Sequence, residues 1–410
     1  MKIFYLLRYA CLAFPLAFAG LPVYVHVPAF YAQVMKVDLA QLGVLVFVLR
    51  LGDTIIDPFI GLLSDRFQAQ RKTIVVISAF VLGAGYFLLF SPPDSAFAFP
   101  LLWLGLTLCL VYLAFSTLMI NYYAYGLQIA GERFSAVTVS AWREGTMLAG
   151  VLLASLLPPL LMQHYDMQHA YRIFALLPAP LLAAASLISF SGYYPPLAAQ
   201  APRPSFRVLL QNRKLSALLV LAFLNNIPSA ITSTLFMFFV ADILQAPDQS
   251  GFMLAVYFMS AAAGTVLWSA LAHRVGKSRS LLSAMVISIM VFIWAWNLGQ
   301  HDVWNFYLIC ILSGITMAAD MVLLPAMFAD SLAPEDGLGA SAFGLWNLVS
   351  KLSIACAAGL VLPLLSVYGY RPGGENTIHS LAVLSFCYAL LPCLFKAVAI
   401  GYLYKKGELR

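Results

Sequence analysis

About twelve apolar runs, each of roughly 20 residues, fill most of this chain and constrain its fold more than any other feature. A helix needs about 20 such residues to cross the hydrocarbon core of a bilayer, so each run predicts one membrane span. Charged residues make up 10% of the chain, against about 25% in soluble domains, which excludes a water-soluble globule. We predict an all-α integral membrane bundle with spans at 9–33, 39–64, 73–91, 99–128, 135–161, 171–192, 215–240, 250–273, 280–299, 303–330, 339–368 and 378–404.

The longest polar break predicts how the chain divides. Between Tyr193 and Lys214 it contains four prolines and four basic residues, a composition typical of an exposed, semi-rigid linker. We therefore predict an N-terminal six-helix half at 1–192, a cytoplasmic linker at 193–214 and a C-terminal six-helix half at 215–410.

The basic residues of the loops indicate the orientation in the membrane, because cytoplasmic loops are enriched in Lys and Arg. The side that holds both termini and the linker carries Lys2, Arg8, Arg66, Arg71, Lys72, Arg133, Arg203, Arg207, Arg213, Lys214, Arg274, Lys277, Arg279, Lys405, Lys406 and Arg410. The opposite side keeps Lys36, Arg172 and Arg371. We predict that both termini are cytoplasmic in a bacterial-type inner membrane. The net charge of +6 follows this pattern, so no nucleic-acid partner is expected.

An internal repeat relates the two halves. A shift of 208 residues superposes three pairs of basic residues: Arg66 on Arg274, Arg71 on Arg279 and Arg143 on Lys351. Two parallel six-helix halves are the architecture of major facilitator transporters, whose substrate site lies near the midplane. The shift carries the acids Asp53 and Asp57 to the uncharged Ala261 and Thr265, so an ion site built on these acids would belong to the N-terminal half alone.

The second predicted span carries two carboxylates in its middle. At helical spacing, Arg50, Asp53, Asp57, Gly61 and Ser64 share one stripe of the helix. Ionisable groups at bilayer depth cost several kcal/mol unless they pair or face a wet cavity, and they mark ion or proton pathways. We interpret Asp53 and Asp57 as a cation site. The alternative is that Arg50 only neutralises Asp53.

The end of this span resembles a known loop. Gly61, Asp65 and Arg66, followed by Arg71, match the glycine-x-x-x-aspartate-arginine loop between the second and third helices of the major facilitator superfamily. The resemblance implies a conformational lock formed by Gly61, Asp65, Arg66 and Arg71, and Asp330 is expected at the same inner surface.

A longer pattern resembles one family within that superfamily. The stripe from Arg50 through Asp57-Pro58 to Arg66, with Gly344-Leu345-Trp346-Asn347 and Lys351 in the other half, is similar to the glycoside-pentoside-hexuronide:cation symporters. The resemblance implies a twelve-helix bundle that works by alternating access as a secondary active transporter. It also implies two residue sets: cation ligands Asp53, Asp57 and Asn121, and substrate contacts Asn121, Tyr125, Arg143, Trp346 and Lys351.

Two departures from the family pattern bear on the ion and the substrate. Ile56 stands where the sodium-using members have an amide, and hard cations prefer oxygen ligands. We therefore expect H⁺ rather than Na⁺ as the coupling ion, although Na⁺ at Asp53 and Asp57 remains an alternative. No acid precedes Asp38, where the sugar carriers have one in the first helix. A small sugar-like solute is the expected substrate, and a lysolipid or other amphiphile is the alternative.

Two further acids give specific expectations. Asp320, in the tenth predicted span, is a candidate partner for Lys351. Glu144 is expected on a different helix face from its neighbour Arg143, because adjacent residues are about 100° apart around a helix.

A membrane-embedded enzyme or a receptor is the rival class. The sequence shows no histidine-rich metal cluster, serine elbow or phosphate-binding glycine loop of the kind that such an enzyme needs. We therefore expect a non-enzymatic, monomeric transporter without a cofactor, in contact with its small-molecule substrate and with membrane lipid.

Overall fold

The computed structural model describes residues 2–132, 134–191, 206–332, 338–371 and 375–406. The regular secondary structure of these residues is helical, and they contain no strand. The α-helices within these residues are α1 (Lys2–Ala10), α2 (Ala13–Gln33), α3 (Leu39–Arg66), α4 (Arg71–Phe90), α5 (Pro100–Glu132), α6 (Ala136–Met162), α7 (Met167–Ala175), α8 (Pro178–Phe190), α9 (Phe206–Gln211), α10 (Arg213–Phe238), α11 (Ser250–Val275), α12 (Lys277–Ala295), α13 (Val303–Asp330), α14 (Gly339–Val367), α15 (Ile378–Ser385) and α16 (Leu391–Lys405).

The helices confirm the predicted all-α membrane class. Among the described residues, 11 stretches are long and apolar enough to cross a membrane. The second predicted span corresponds to α3, an unbroken helix of 28 residues, about 42 Å long at 1.5 Å per residue. This helix therefore also has the length needed to cross a bilayer.

Prolines explain where two of the spans are interrupted. Pro178 occupies the first turn of α8, where its missing N–H is not needed. Pro392 follows a π-helical segment, Phe386–Leu390, between α15 and α16. A proline cannot donate to the carbonyl four residues earlier, and widened π turns accommodate such gaps.

The chain forms two compact units that differ in detail from the predicted halves. The first unit comprises residues 1–135, 142–206 and 332–348, and the second comprises 136–141, 207–331 and 349–410. The start of α14 therefore belongs to the first unit and its remainder to the second. Within the predicted linker, residues 193–205 lie outside the described residues, and α9 and the first residues of α10 follow.

Each unit has its own aromatic core. In the first unit, the Phe90 ring stacks on Tyr171 at 5.2 Å between ring centroids. In the second unit, Phe239 stacks on Tyr388 at 4.1 Å. Such ring pairs contribute about 0.5–1.5 kcal/mol beyond the area that they bury.

Candidate functional site

The two acids of α3 are both buried in the first unit. Asp53 is 7% exposed and Asp57 is fully buried, and they lie one helical turn apart. Since an isolated carboxylate is expensive to bury, this turn of α3 must receive compensation from protons, cations or polar groups. The predicted cation residues therefore occupy a site where ion binding would change the local free energy.

A serine that the sequence analysis did not select completes part of this site. Ser116 of α5 donates a hydrogen bond to Asp53 Oδ1 at 2.9 Å, and its side chain is buried. Two threonines close to these residues in sequence donate their hydroxyl protons to carbonyls of their own helices. Thr54 donates to the Arg50 carbonyl and Thr117 to the Leu113 carbonyl. Ser116 is thus a hydroxyl that α5 brings directly to the candidate ion site.

The carboxylate of Asp65 joins the end of α3 to the start of α14. Its Oδ1 accepts from Arg71 at 3.1 Å and from the Ala340 backbone N–H at 2.9 Å, and its Oδ2 accepts from the Ser341 N–H at 2.6 Å. The first four N–H groups of a helix have no partner within the helix, and a negative charge there is stabilised by the helix dipole. Asp65 therefore connects α3, α4 and α14 through its side chain, and its role in a conformational lock stays a prediction.

Two glycines allow α3 and α14 to approach each other closely. A Cβ atom added to Gly61 would lie 2.4 Å from the Ala340 carbonyl oxygen. One added to Gly344 would lie 2.7 Å from the carbonyl oxygen of Asp57. The second contact places the turn that carries a candidate cation ligand directly against α14.

The side chain of Asn121 contacts the end of α3 and the start of α4. Its Oδ1 accepts from Arg71 Nε at 3.2 Å, and its Nδ2 donates to Ser64 Oγ at 2.9 Å. Ser64 is two helical turns beyond Asp57, about 10 Å along the helix axis. The Asn121 amide thus supports the pair of Asp65 and Arg71, and its role in cation and substrate binding stays a prediction.

Arg143 is buried in an ion pair with its neighbour in sequence. Its guanidinium contacts Glu144 Oε1 at 2.9 Å and lies over the Tyr123 ring, 3.8 Å from the centroid. The prediction that Glu144 and Arg143 lie on different helix faces did not anticipate this contact between their side chains. Both side chains are long enough to bend toward each other, and pairing offsets part of the cost of burying two charges.

The other predicted residues lie in several parts of the fold. Tyr125 packs against Phe190 with ring centroids 4.6 Å apart, within the core of the first unit. Trp346 is buried in α14, and Lys351 is partly exposed one turn further along the same helix. Arg66 is exposed at the end of α3.

Asp330, which the sequence predicts to be a lock residue, lies in the second unit. Its carboxylate forms an ion pair with Lys277 at the start of α12. The sequence identifies Lys277 only as a basic residue of a loop, and the structure shows its pairing with Asp330.

Asp320 pairs with a lysine that the sequence analysis did not select. Its Oδ2 lies 2.6 Å from Lys396 Nζ of α16, so Lys396 rather than Lys351 forms the ion pair. Lys396 lies within the last predicted span, at 378–404. Because charges at bilayer depth are candidates for a functional role, its position in the sequence is a signal that could have selected it.

Comparisons with known proteins agree with this architecture. Residues 8–405 match a family model described as MFS/sugar transport protein. The inner membrane symporter YicJ of Escherichia coli is 23% identical over 248 residues, which cover 58% of this chain and 54% of that protein. The matched region thus spans about half the length of this relative.

Two solved structures share the fold. A bacterial homologue of the iron transporter ferroportin, in an outward-facing state, has a TM-score of 0.73 at 13% identity and covers 97% of this chain and 99% of its own. The Escherichia coli fucose:proton symporter FucP has a TM-score of 0.68 at 12% identity and covers 97% and 98%. The predicted major facilitator fold is confirmed, as is the assignment to transporters rather than enzymes. The chain belongs to the MFS/sugar transport protein family.

Proposed function

We propose that this transporter is a cation-coupled symporter of a small sugar-like solute, with H⁺ as the coupling ion. The observation that carries the proposal is the burial of Asp53 and Asp57 on one helix of the first unit. Buried acids in membrane helices are characteristic of proton and ion pathways. A passive structural role would not require two carboxylates one turn apart.

The contacts of the site favour a proton over sodium. Ser116 supplies one hydroxyl to Asp53, whereas the Asn121 amide is engaged with Arg71 and Ser64. Ile56 supplies no oxygen ligand. Hard metal ions require several oxygen ligands, but a proton needs a single carboxylate whose charged form is made unfavourable by burial or by a second acid.

The contact between α3 and α14 suggests how ion binding could influence conformation. Neutralising a carboxylate on the Asp57 turn changes the energy of a segment that packs against Gly344. The same helix ends at Asp65, which holds the first N–H groups of α14. An ion can shift a conformational equilibrium only through its different affinity for the two states, and this helix pair provides an element on which that difference can act.

The substrate assignment follows the family and its structural neighbours. The family description includes sugar transport, and FucP is a fucose:proton symporter. An amphipathic substrate is the second candidate, because a cavity of about 400 Å³ in the second unit has a largely apolar lining that includes Phe236, Met237 and Leu254. We propose that the protein acts as a monomer in a bacterial inner membrane, with both termini in the cytoplasm.

Uptake into proteoliposomes tests the proposal. Radiolabelled fucose, galactose, xylose and methyl glycosides would be offered with an imposed pH gradient or an imposed sodium gradient, while the membrane potential is clamped. We expect accumulation of at least one sugar with the pH gradient, and its loss in Asp53→Asn and Asp57→Asn. Accumulation that follows sodium and ignores the pH step would contradict the proton assignment.

A further inference from the structure

The second unit contains a buried ion pair between α13 and α16. Asp320 and Lys396 are 2.6 Å apart, and their side chains are 12% and 5% exposed. Burying two charges costs several kcal/mol per ion before their attraction is counted, and apolar residues of similar size usually stabilise a helix contact at least as well. Stability alone is therefore a poor explanation for this pair.

The pair leaves one strong acceptor unused. Asp320 Oδ1 is buried and has no hydrogen-bond partner among the described residues, although Oδ2 is bound to Lys396. A buried acceptor without a donor costs about 1–3 kcal/mol, and more when it is charged. Such a group is typical of a site whose missing donor belongs to a ligand.

Hydroxyl-bearing residues line the cavity beside Asp320. A cavity of about 20 Å³ lies beside Asp320 and Lys396, enough for about one water-sized group. Its lining includes Thr232, Ser313 and Thr316, and each of these donates its hydroxyl proton to a carbonyl of its own helix. Their oxygens can therefore accept but not donate. These three oxygens are thus available as acceptors and Lys396 is a cationic donor in the lining, which suits a ligand group that carries hydroxyls.

A larger chamber adjoins this polar cavity. It has a volume of about 400 Å³, within the range of ordinary ligand pockets. The two cavities share six lining residues: Ser229, Thr232, Tyr257, Phe292, Ser313 and Met317. Away from this shared wall the chamber is lined mainly by apolar side chains such as Phe258, Ile309 and Ile354. The small polar cavity and the larger apolar chamber thus lie along one shared wall.

We infer that the second unit binds a neutral ligand with a hydroxylated head and an apolar remainder. One hydroxyl of the head enters the small cavity and donates to Asp320 Oδ1 beside Lys396, and the rest of the head lies along the wall that the two cavities share. The remainder occupies the chamber beside Phe258. Glycosides with an apolar aglycone and lipids with a glycerol head share this chemistry. The inference rests on the proposed transport function only in taking this ligand to be the transported substrate.

Ligand-dependent thermal stabilisation of the full-length protein in lipid nanodiscs tests the inference without any ion gradient, because a ligand that binds only the folded state raises Tm. The probes are 4-nitrophenyl glycosides, the corresponding free sugars and monoacylglycerols. We expect stabilisation by the glycosides or by the monoacylglycerols, and the responding series identifies the source of the ligand. A free sugar that binds as tightly as its nitrophenyl glycoside would overturn the inference, as would no response to any probe.

Variants show whether Asp320 and its neighbours bind a ligand or only stabilise the contact between α13 and α16. Asp320→Asn should weaken the apparent affinity about tenfold or more, because hydrogen bonds to charged groups are among the stronger ones. Phe258→Ala should weaken binding of the nitrophenyl glycoside while leaving that of the free sugar unchanged. Ser313→Ala, which alters no charge, covers the case in which Asp320→Asn fails to fold, and it should also weaken binding.

The matched control is Ser283→Ala, an exposed serine of α12 that also bonds to its own helix. It should retain the parental affinity. Parental affinity in Asp320→Asn, or in Ser313→Ala if Asp320→Asn does not fold, would overturn the inference. Because no gradient is imposed, these results are independent of whether uptake is coupled to a cation.

Discussion

The carbonyl oxygen of Asp57 faces Gly344 so closely that a Cβ atom at position 344 would lie 2.7 Å from it. Asp57 carries a candidate coupling carboxylate, and Gly344 lies in the first turns of α14. One turn further along α3, Gly61 approaches Ala340 even more closely, with 2.4 Å between an added Cβ atom and the Ala340 carbonyl oxygen. The backbone around the candidate ion site is therefore in direct contact with the helix that Asp65 holds.

Gly344→Ala should reduce gradient-driven uptake by about tenfold or more. The added methyl group meets backbone rather than a movable side chain, and overpacking of this kind typically costs about 1–3 kcal/mol. Uptake into proteoliposomes measures the effect, with protein insertion checked separately. Gly359→Ala is the control, because position 359 of the same helix has open space around its Cβ. Equal loss in both variants would show that α14 tolerates no side chain, irrespective of its contact with α3.

Asp65→Ala should lower the thermal stability of the protein more than Asp65→Asn does. Both changes remove the ion pair with Arg71, but the asparagine oxygen can still accept from the α14 backbone. Loss of a capping acceptor costs about 0.5–2 kcal/mol. Thermal unfolding in nanodiscs measures the difference. Asp94→Asn, in an exposed turn, should leave Tm unchanged. Identical Tm values for the parent and Asp65→Ala would exclude the capping role.

The sequence was sufficient for the helical spans because hydrophobic length is a local property. The predicted spans at 303–330 and 339–368 correspond closely to α13 and α14. What sequence could not supply is the side-chain pairing between helices. Asp320 has two intramembrane lysines, Lys351 and Lys396, as possible partners, and only packing places Lys396 beside it.

The sequence also predicts only part of the candidate site, because contacts between helices leave no local signal. Asp53 and Asp57 stand out as charges inside an apolar helix, and the structure buries both of them. Ser116 is an ordinary serine in a long apolar run, so no local signal distinguishes it from other helical serines. Asn121 was assigned by family resemblance, which carries a position but not the hydrogen bonds that this chain makes there.

Ser116→Ala should weaken coupling without abolishing it. The substitution removes one hydrogen bond to the Asp53 carboxylate, and a bond to a charged group contributes about 1.5–3 kcal/mol. We expect the pH dependence of uptake to shift while the maximal uptake is largely kept. Ser155→Ala is the control, since Ser155 is exposed in α6 and bonds to the Val151 carbonyl. A pH profile identical to that of the parent would exclude a role for Ser116 at the ion site.

The ion pair of Arg143 and Glu144 allows a structural role of Arg143 to be separated from substrate binding. Glu144→Gln should destabilise the protein by about 3–5 kcal/mol, because it leaves a buried guanidinium without its carboxylate. Adding Arg143→Gln should restore part of that stability, since the remaining buried charge is then removed. If Arg143 also contacts substrate, the double variant will fold well and yet fail to accumulate it. Recovery of both Tm and uptake would show that the pair serves only to stabilise the fold. Arg172→Gln, at an exposed position of α7, controls for the loss of one positive charge.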